Sequence, residues 1–199
     1  MERPAALIAA LILAGGRARR LGGIEKPLIR IGGLTILERI LAALADDVAS
    51  VALSANGEPA RFSRFGLTVL PDGPYQGEGP LAGLLAGLEW AATLGAQDML
   101  SLPGDTPFLP TGLASRLAPS PSVAVSGGRR HHLVALWPVG ARQALAQRLA
   151  RPGTRAVGAF AEEIGARGVE FSALPGDPFL NINTQADLAR AQAIAEEAL

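Results

Sequence analysis

A glycine- and arginine-rich segment, residues 13–26, carries the strongest chemical signal in the sequence. It combines four glycines with four cationic side chains, which are Arg17, Arg19, Arg20 and Lys26. Glycine lets the backbone approach a ligand and turn its N–H groups toward an anion, and arginine and lysine bind phosphate oxygens. In isolation, such a segment is equally consistent with an exposed turn whose arginines are solvated. Its position directly after the first apolar run favours a polyphosphate-binding loop.

The rarest polar residues of the chain fall in or near candidate motifs. Arginine occurs seventeen times, but Lys26 is the only lysine, and asparagine occurs only at Asn56, Asn181 and Asn183. The loop around Lys26 contains neither G-x-x-x-x-G-K-[ST] nor G-x-G-x-x-G. A P-loop NTPase and a dinucleotide-binding Rossmann domain are therefore disfavoured.

Two aspartates follow predicted strands. Asp105 ends the run Pro-Gly-Asp after a strand predicted over residues 98–102, and Asp72 lies in a Pro-Asp-Gly sequence. A single carboxylate at a strand end suits a hard cation that keeps most of its waters. The alternative for both residues is an ordinary turn or helix-capping role.

The elements that must position these residues alternate between strand and helix. Ala5 to Leu13 is a continuous apolar run, which is typical of a strand buried on both faces of a parallel sheet. Further strands are predicted over 48–54, 67–70, 98–102, 122–126, 133–137 and 169–174, and those over 122–126 and 133–137 flank Gly127 to Arg130. Helices are predicted over 35–44, 80–94, 139–149, 154–164 and 184–199, the last capped by Thr184.

This alternation predicts an α/β fold, a three-layer α/β/α sandwich with a mainly parallel sheet, formed by a single domain over residues 1–199. Ligands of such sheets bind at the carboxyl ends of the strands. The candidate motifs lie at those ends, after Leu13, Leu53, Leu70 and Leu102. We therefore expect them to meet in one site.

Composition excludes several function classes. Eighteen basic and eighteen acidic residues give a net charge of zero, which argues against non-specific binding to nucleic acid or to an anionic membrane. The absence of cysteine excludes disulfides, thiolate zinc sites, iron–sulfur clusters and thiol nucleophiles. The apolar run near the N-terminus is too short to span a membrane, and its arginines follow it, unlike those of a signal peptide. We expect a cytoplasmic protein.

Four segments, in order along the chain, resemble those of a known family. They are Leu-Ala-Gly-Gly at residues 13–16 continuing to Lys26, Gly-Pro-Leu-Ala-Gly at 79–83, Gly-Asp-Thr-Pro-Phe-Leu at 104–109, and Asn-Ile-Asn-Thr at 181–184 with Asp187 and Leu188. This set resembles the molybdenum cofactor guanylyltransferases, the MobA family. The resemblance implies a Rossmann-like nucleotidyltransferase fold that transfers GMP from GTP to the phosphate of molybdopterin and releases pyrophosphate.

The same resemblance implies the roles of individual residues and the partners. It implies that Arg20, Lys26 and Asp105 are catalytic and that Asp105 holds Mg²⁺. Nucleotide binding is implied for Leu13, Ala14, Gly15, Gly16, Gly23, Lys26, Ser54, Asn56, Asp72 and Asp105. Acceptor binding is implied for Arg155, Asn181 and Asn183. The implied partners are GTP, molybdopterin and proteins of molybdenum cofactor assembly.

Departures from the family pattern leave alternatives. Glu25 stands where the family usually has aspartate, and Ser54 stands where an asparagine contacts the nucleotide, with Asn56 two positions later. Cytidylyl-transferring relatives read Ala-Ala-Gly where this chain reads Ala14-Gly15-Gly16. The alternatives are such a relative, a sugar nucleotidylyltransferase, and a non-catalytic nucleotide-binding protein on the same scaffold.

Overall fold

The fold comes from a computed structural model, which describes residues 7–15, 25–173 and 176–197. Residues 16–24 of the predicted phosphate loop lie outside the described residues, among them Gly16, Arg20 and Gly23, to which roles were assigned. Their predicted roles therefore stay predictions.

Nine strands and six helices run along the described chain. The strands are β1 (Ile8–Leu13), β2 (Arg30–Ile31), β3 (Leu34–Thr35), β4 (Ser50–Ser54), β5 (Thr68–Leu70), β6 (Asp98–Pro103), β7 (Ser122–Ser126), β8 (Arg129–Pro138) and β9 (Arg167–Phe171). The helices are α1 (Ile36–Leu44), α2 (Pro80–Thr93), α3 (Leu113–Leu117), α4 (Arg142–Leu149), α5 (Val157–Glu163) and α6 (Gln185–Glu197). Short 3₁₀ turns lie at Lys26–Leu28, Pro59–Phe65, Gly73–Tyr75 and Val139–Ala141.

Seven of the strands form one sheet in the order β5-β4-β1-β6-β8-β7-β9. Strand β8 pairs antiparallel with β6 and with β7, and the other neighbouring strands pair in parallel. The chain leaves β1 toward β4 on one side and later returns to β6 on the other side. The ends of β1 and β6 therefore form the topological switch point at which such sheets bind ligands.

Both faces of the sheet are covered, which confirms the predicted sandwich. Alternate residues of β1 point in opposite directions: Ala10 and Ile12 join the core beneath α1, α3 and α6, whereas Ala9 and Leu11 join the core beneath α2, α4 and α5. A strand buried on both faces has no polar positions. The uninterrupted apolar run at the N-terminus follows from this burial.

The structure corrects the prediction for the second hairpin strand. Strand β8 begins at Arg129 rather than Leu133, so Arg129 and Arg130 lie in the strand and not in the turn. The turn itself is formed by Gly127 and Gly128, with φ of +54° and +74°. Two residues with positive φ make the tight hairpin turn whose twist matches that of its strands.

Helix α2 packs unusually close to the sheet at Gly83. A Cβ atom added there would lie 2.3 Å from Ser54 Oγ and 2.9 Å from Leu13 Cδ2. We expect Gly83→Ala to cost about 1–3 kcal/mol of unfolding free energy, because the side chains of Ser54 and Leu13 or the helix itself must shift to make room. Urea denaturation measures this cost.

The matched control is Gly140→Ala. An added Cβ at Gly140 has open space around it, and its backbone is not left-handed. We expect a change within about 0.5 kcal/mol at this position. Equal effects of the two substitutions would show that α2 does not depend on the close approach.

Among the described residues, no helix combines the length and the apolar character needed to cross a membrane.

Candidate active site

A cavity of about 1010 Å³ opens at the carboxyl ends of β1, β4, β5 and β6. Most of the described residues that the sequence assigned to nucleotide or acceptor binding line it. These are Leu13, Ala14, Gly15, Lys26, Ser54, Asn56, Asp72, Asp105 and Asn181. The structure thus brings together residues separated by up to about 170 positions in sequence, as the strand-end argument predicts.

The floor of the cavity is built by backbone that continues the sheet past the strand ends. The N–H of Ala14 donates to the carbonyl of Ser54 at 2.8 Å, and the N–H of Gly104 donates to that of Leu13 at 2.9 Å. A Cβ at Gly104 would lie 3.0 Å from Pro27 Cγ and 3.1 Å from the Leu13 carbonyl oxygen. Glycine at this position lets the segment that carries Lys26 lie directly against the end of β6.

Lys26 and Asp105 form the polar centre of the site. Lys26 Nζ lies 2.8 Å from Asp105 Oδ2 and donates to Asn183 Oδ1 at 2.5 Å. Asn181 Nδ2 donates to the other oxygen of Asp105, Oδ1, at 2.8 Å. The side chains of Lys26 and Asp105 are 18% and 17% exposed, so the pair is shielded from bulk water yet open to the cavity.

Asn181 and Asn183 are held by the segment that precedes α6. Phe179 and Ile182 are buried, and the N–H of Ile182 donates to the carbonyl of Asp105 at 2.9 Å. The Asn181 side chain therefore reaches Asp105, and the Asn183 side chain reaches Lys26. Buried apolar residues between polar ones fix this segment against the sheet.

The predicted helix cap at Thr184 is confirmed. Thr184 Oγ1 accepts from the N–H of Asp187 at 3.1 Å, and the Thr184 N–H donates to Asp187 Oδ2 at 2.8 Å. The Asn183 N–H also donates to Asp187 Oδ2, and this bond and the Thr184 bonds hold the pKa of Asp187 below its usual value of 3.8. This capping box fixes the backbone of Asn183 at the start of α6.

Asp72 lies at the wall of the cavity next to the end of β5. Asn56 Nδ2 donates to Asp72 Oδ2 at 2.6 Å and Asn56 Oδ1 accepts from the Asp72 N–H at 3.1 Å. Ser54 Oγ donates to Asp72 Oδ1 at 3.3 Å. Ser54, Asn56 and Asp72, three of the polar residues that the sequence assigned to nucleotide binding, thus form one hydrogen-bonded group.

Arg155, assigned to the acceptor, is placed differently. Its guanidinium donates to the carbonyls of Arg148, Leu149 and Arg151, at 3.0–3.1 Å, and pairs with Glu78. Glu78 lies between Gly77 and Gly79, which both line the cavity. Arg155 itself does not line the cavity but braces its wall through Glu78, and acceptor binding by Arg155 stays a prediction.

Arg61 is a cation of the cavity that sequence reasoning missed. It lies in the 3₁₀ turn Pro59–Phe65, its Nε is 3.2 Å from Glu25 Oε1, and it also donates to the carbonyl of Asn56. The segment has no clear helical or strand periodicity. Nothing in the sequence marked Arg61 among seventeen arginines.

His131 belongs to a buried polar group near the beginning of β8. Its Nε2 lies 2.8 Å from Ser126 Oγ, which donates to Asp177 Oδ1 at 2.8 Å. Because a carboxylate only accepts, the Ser126 hydrogen is used there, and His131 Nε2 must carry the proton that reaches Ser126. Burial lowers the pKa of His131 and that of His132 below the ordinary value of 6.5, so both rings are neutral near pH 7.

These depressed pKa values predict a pH dependence of stability. Unfolding raises both pKa values, so the histidine contribution is complete above pH 6.5 and is lost as the pH falls through the folded values. We expect the free energy of unfolding to decrease as the pH is lowered below about 6.5. The variant His131→Gln/His132→Gln, which lacks both histidines of the chain, should show a shallower slope in the same denaturation series; an unchanged slope contradicts the assignment.

The oxygen atoms around Lys26 fit a hard divalent cation. The described residues contain no cluster of three or more His, Cys, Asp or Glu side chains, so no all-protein metal cage is present among them. The carboxylate oxygen of Asp105 and the amide oxygen of Asn183 nevertheless converge on one cation, the Lys26 ammonium. A cation that keeps several waters and takes further oxygens from substrate phosphates needs no more protein ligands than these.

The fold and the site together define a class of protein. A mainly parallel sheet with a glycine after its first strand and a lysine and an aspartate at its switch point is typical of α/β proteins that bind nucleotide phosphates. Solved structures agree on the fold: a nucleotidyl transferase from Methanothermobacter superposes with a TM-score of 0.75 at 19% identity, covering 97% of this chain and 99% of that one. Molybdopterin-guanine dinucleotide biosynthesis protein A from Archaeoglobus fulgidus gives 0.71 at 21% identity, covering 95% and 99%.

The chain belongs to the family of MobA-like NTP transferase domains, whose family model matches residues 10–164. It is 57% identical over 184 residues to a molybdenum cofactor guanylyltransferase from Acidiphilium cryptum, covering 92% of this chain and 93% of that protein. It is 43% identical to one from Bradyrhizobium, covering 93% and 92%. The resemblance drawn from the four sequence segments is confirmed.

Proposed function

We propose that this chain, as a single domain, transfers GMP from GTP to the phosphate of molybdopterin and releases pyrophosphate. The observation that carries nucleotidyl transfer is the pairing of Lys26 with Asp105 at the switch point, inside a cavity lined by a glycine-containing strand end. The choice of guanine and of molybdopterin is supported by the names of relatives that match nearly the full chain.

The reaction requires stabilisation of the negative charge on the phosphates and alignment of the two substrates more than it requires proton transfer. A phosphate oxygen of the acceptor attacks the α-phosphorus of GTP, and the bond from that phosphorus to the bridging oxygen of the β-phosphate breaks. The attacking phosphate is already ionised near pH 7, so no general base has to be found. Positioning and electrostatic stabilisation then supply the rate.

Lys26 supplies the mobile positive charge of the site. Its ammonium borders the cavity on a long flexible stem and can donate to the β- and γ-phosphate oxygens as negative charge grows on the leaving pyrophosphate. The backbone at Ala14 and Gly15 lies beside it, where no Cβ of Gly15 crowds an approaching phosphate. Together they bind the end of the triphosphate that departs.

Asp105 and the amide oxygen of Asn183 are the residues that would hold Mg²⁺, by the fit described above. When bound, the ion neutralises phosphate charge and orients the triphosphate. Asn181 donates to Asp105 and so orients the carboxylate toward the cavity.

The Asp72 group supports a guanine pocket. Its carboxylate is fixed by Ser54 and Asn56 and lies in the cavity wall. Guanine presents two adjacent donors, N1–H and the N2 amino group, which match the two oxygens of a carboxylate. Cytosine presents one amino donor beside an acceptor nitrogen, which a carboxylate cannot satisfy.

Nucleotide-dependent thermal stability tests the proposal. With Mg²⁺ present, we expect GTP to raise Tm more than CTP does, because only GTP pairs with Asp72. Asp72→Asn should reduce this difference, since the amide replaces one acceptor oxygen by a donor. Stabilisation by CTP equal to or above that by GTP contradicts guanine selection. Absence of pyrophosphate release with GTP, Mg²⁺ and molybdopterin contradicts transfer itself.

A further inference from the structure

The ammonium of Lys26 is held by the oxygen atoms that suit a metal ion. Its Nζ lies 2.8 Å from Asp105 Oδ2 and 2.5 Å from Asn183 Oδ1. The remaining Asp105 oxygen, Oδ1, accepts from Asn181 at 2.8 Å. Both carboxylate oxygens are therefore engaged, and one of the engaged partners is itself a cation.

A divalent cation and the ammonium cannot share this position. Both carry positive charge, and repulsion at contact distance in a half-buried site is stronger than in water. Asp105 has one negative charge to offer, and no second described carboxylate is within ion-pair distance of Lys26. The two cations must exclude each other at Asp105 Oδ2.

The surroundings allow the lysine side chain to leave while its backbone stays. Pro27 is buried, and its ring packs against the backbone at Gly104, so the main chain at residues 26–28 is fixed. Asn183 is exposed, and the side chain of Lys26 borders the open cavity. Rotation about the side-chain bonds of Lys26 is sufficient to move its ammonium from Asp105 into the cavity.

We propose that Lys26 is a placeholder cation, which occupies the metal position in the free protein and is expelled from it when the metal binds. Expulsion delivers the ammonium into the cavity, where the proposed function requires it to meet the phosphates. Metal binding and lysine release are then one coupled event, and each favours the other. This exchange of lysine for metal depends on the proposed function in one respect only, namely that the ligand of the cavity is a nucleoside triphosphate.

Metal binding without nucleotide tests the exchange apart from any transfer activity. Calorimetric titration with Mn²⁺ alone should give an affinity about fivefold or more higher for Lys26→Gln than for the wild type, because the metal no longer competes with an ion pair. Arg64→Gln is the matched control. It removes the same charge from an exposed residue that pairs with Glu38 at 3.7 Å, and its Mn²⁺ affinity should equal that of the wild type.

A second measurement uses the wild-type protein and the fact that Lys26 is its only lysine. Acetylation of Lys26 by an amine-reactive ester, followed by peptide mass spectrometry to separate it from the N-terminal amine, should accelerate severalfold on addition of Mg²⁺ alone. In Asp105→Asn, which lacks the charge that holds the ammonium, the rate should already be high and should not respond to Mg²⁺.

An Mn²⁺ affinity of Lys26→Gln equal to or below that of the wild type overturns the exchange, as does labelling of wild-type Lys26 that Mg²⁺ slows or leaves unchanged. Neither result bears on whether GTP is the donor. Conversely, a preference for CTP, which contradicts the proposed function, leaves the metal titration and the labelling assay valid.

Discussion

Lys26→Ala is expected to lower kcat by about two to three orders of magnitude, the range seen when a preorganised donor to a developing oxyanion is removed. The free energy of unfolding should change by no more than about 1 kcal/mol, because the Lys26–Asp105 pair borders an open cavity and Asp105 keeps its bond from Asn181. Steady-state pyrophosphate release and urea denaturation measure the two effects.

Arg64→Ala controls for loss of a positive charge, since Arg64 is half exposed and lies outside the cavity lining. It should leave kcat unchanged. A large fall in the stability of Lys26→Ala with activity retained would assign the lysine to structure and remove it from the reaction.

Asp105→Asn should lower kcat by about 100-fold or more and raise the Mg²⁺ concentration needed for half-maximal rate. The substitution keeps the shape of the side chain but replaces an anionic oxygen by an amide, which binds hard divalent cations more weakly. It also removes the charge that pairs with Lys26. Titration of the initial rate against Mg²⁺ at saturating GTP separates the metal effect from the loss of rate.

Asp98→Asn is the matched control, because Asp98 lies at the opposite end of the same strand and accepts from Ser120 at 2.5 Å. Its Mg²⁺ requirement should equal that of the wild type. If Asp105→Asn leaves the Mg²⁺ requirement unchanged, the metal ligand is another residue.

The parts of the site that the sequence predicts are those fixed by the sheet. Leu13, Ser54, Asp72 and Asp105 each follow or end a strand, and strands β1, β4, β5 and β6 are neighbours whose carboxyl ends share one edge. Once a parallel sheet is inferred, their convergence follows from topology alone. The apolar run of β1 was strong enough for that inference because burial on both faces leaves no polar position.

The parts that the sequence does not predict depend on short elements and on side-chain direction. Strands β2 and β3 have two residues each, and α3 has five. These elements are too short for a periodic pattern of apolar residues to appear in the sequence. Arg61 and Arg155 look alike in sequence, yet one enters the cavity and the other binds the carbonyls at the end of α4. Which way an arginine points is decided by acceptors that only the folded chain brings near.

The contact between Asn183 and Lys26 likewise has one part that the sequence predicts and one part that it does not. The motif Asn-Ile-Asn-Thr was recognisable, and its place before a capped helix was predicted from Thr184. That Asn181 reaches Asp105 and Asn183 reaches Lys26 depends on the burial of Phe179 and Ile182, which anchors the segment to the sheet. An alternation of apolar and polar residues in a loop does not indicate which residues the polar side chains will contact. These contacts could therefore not be predicted from the sequence.

A crystal structure with GTP, Mg²⁺ and no acceptor would show whether a triphosphate and its metal bridge Lys26 and Asp105. We expect the guanine beside Asp72, the β- and γ-phosphates within hydrogen-bond distance of Lys26 Nζ, and the metal on Asp105 with the Lys26–Asp105 contact broken. A nucleotide bound elsewhere, or bound in the cavity with Lys26 still paired to Asp105 and no metal between them, would contradict this expectation.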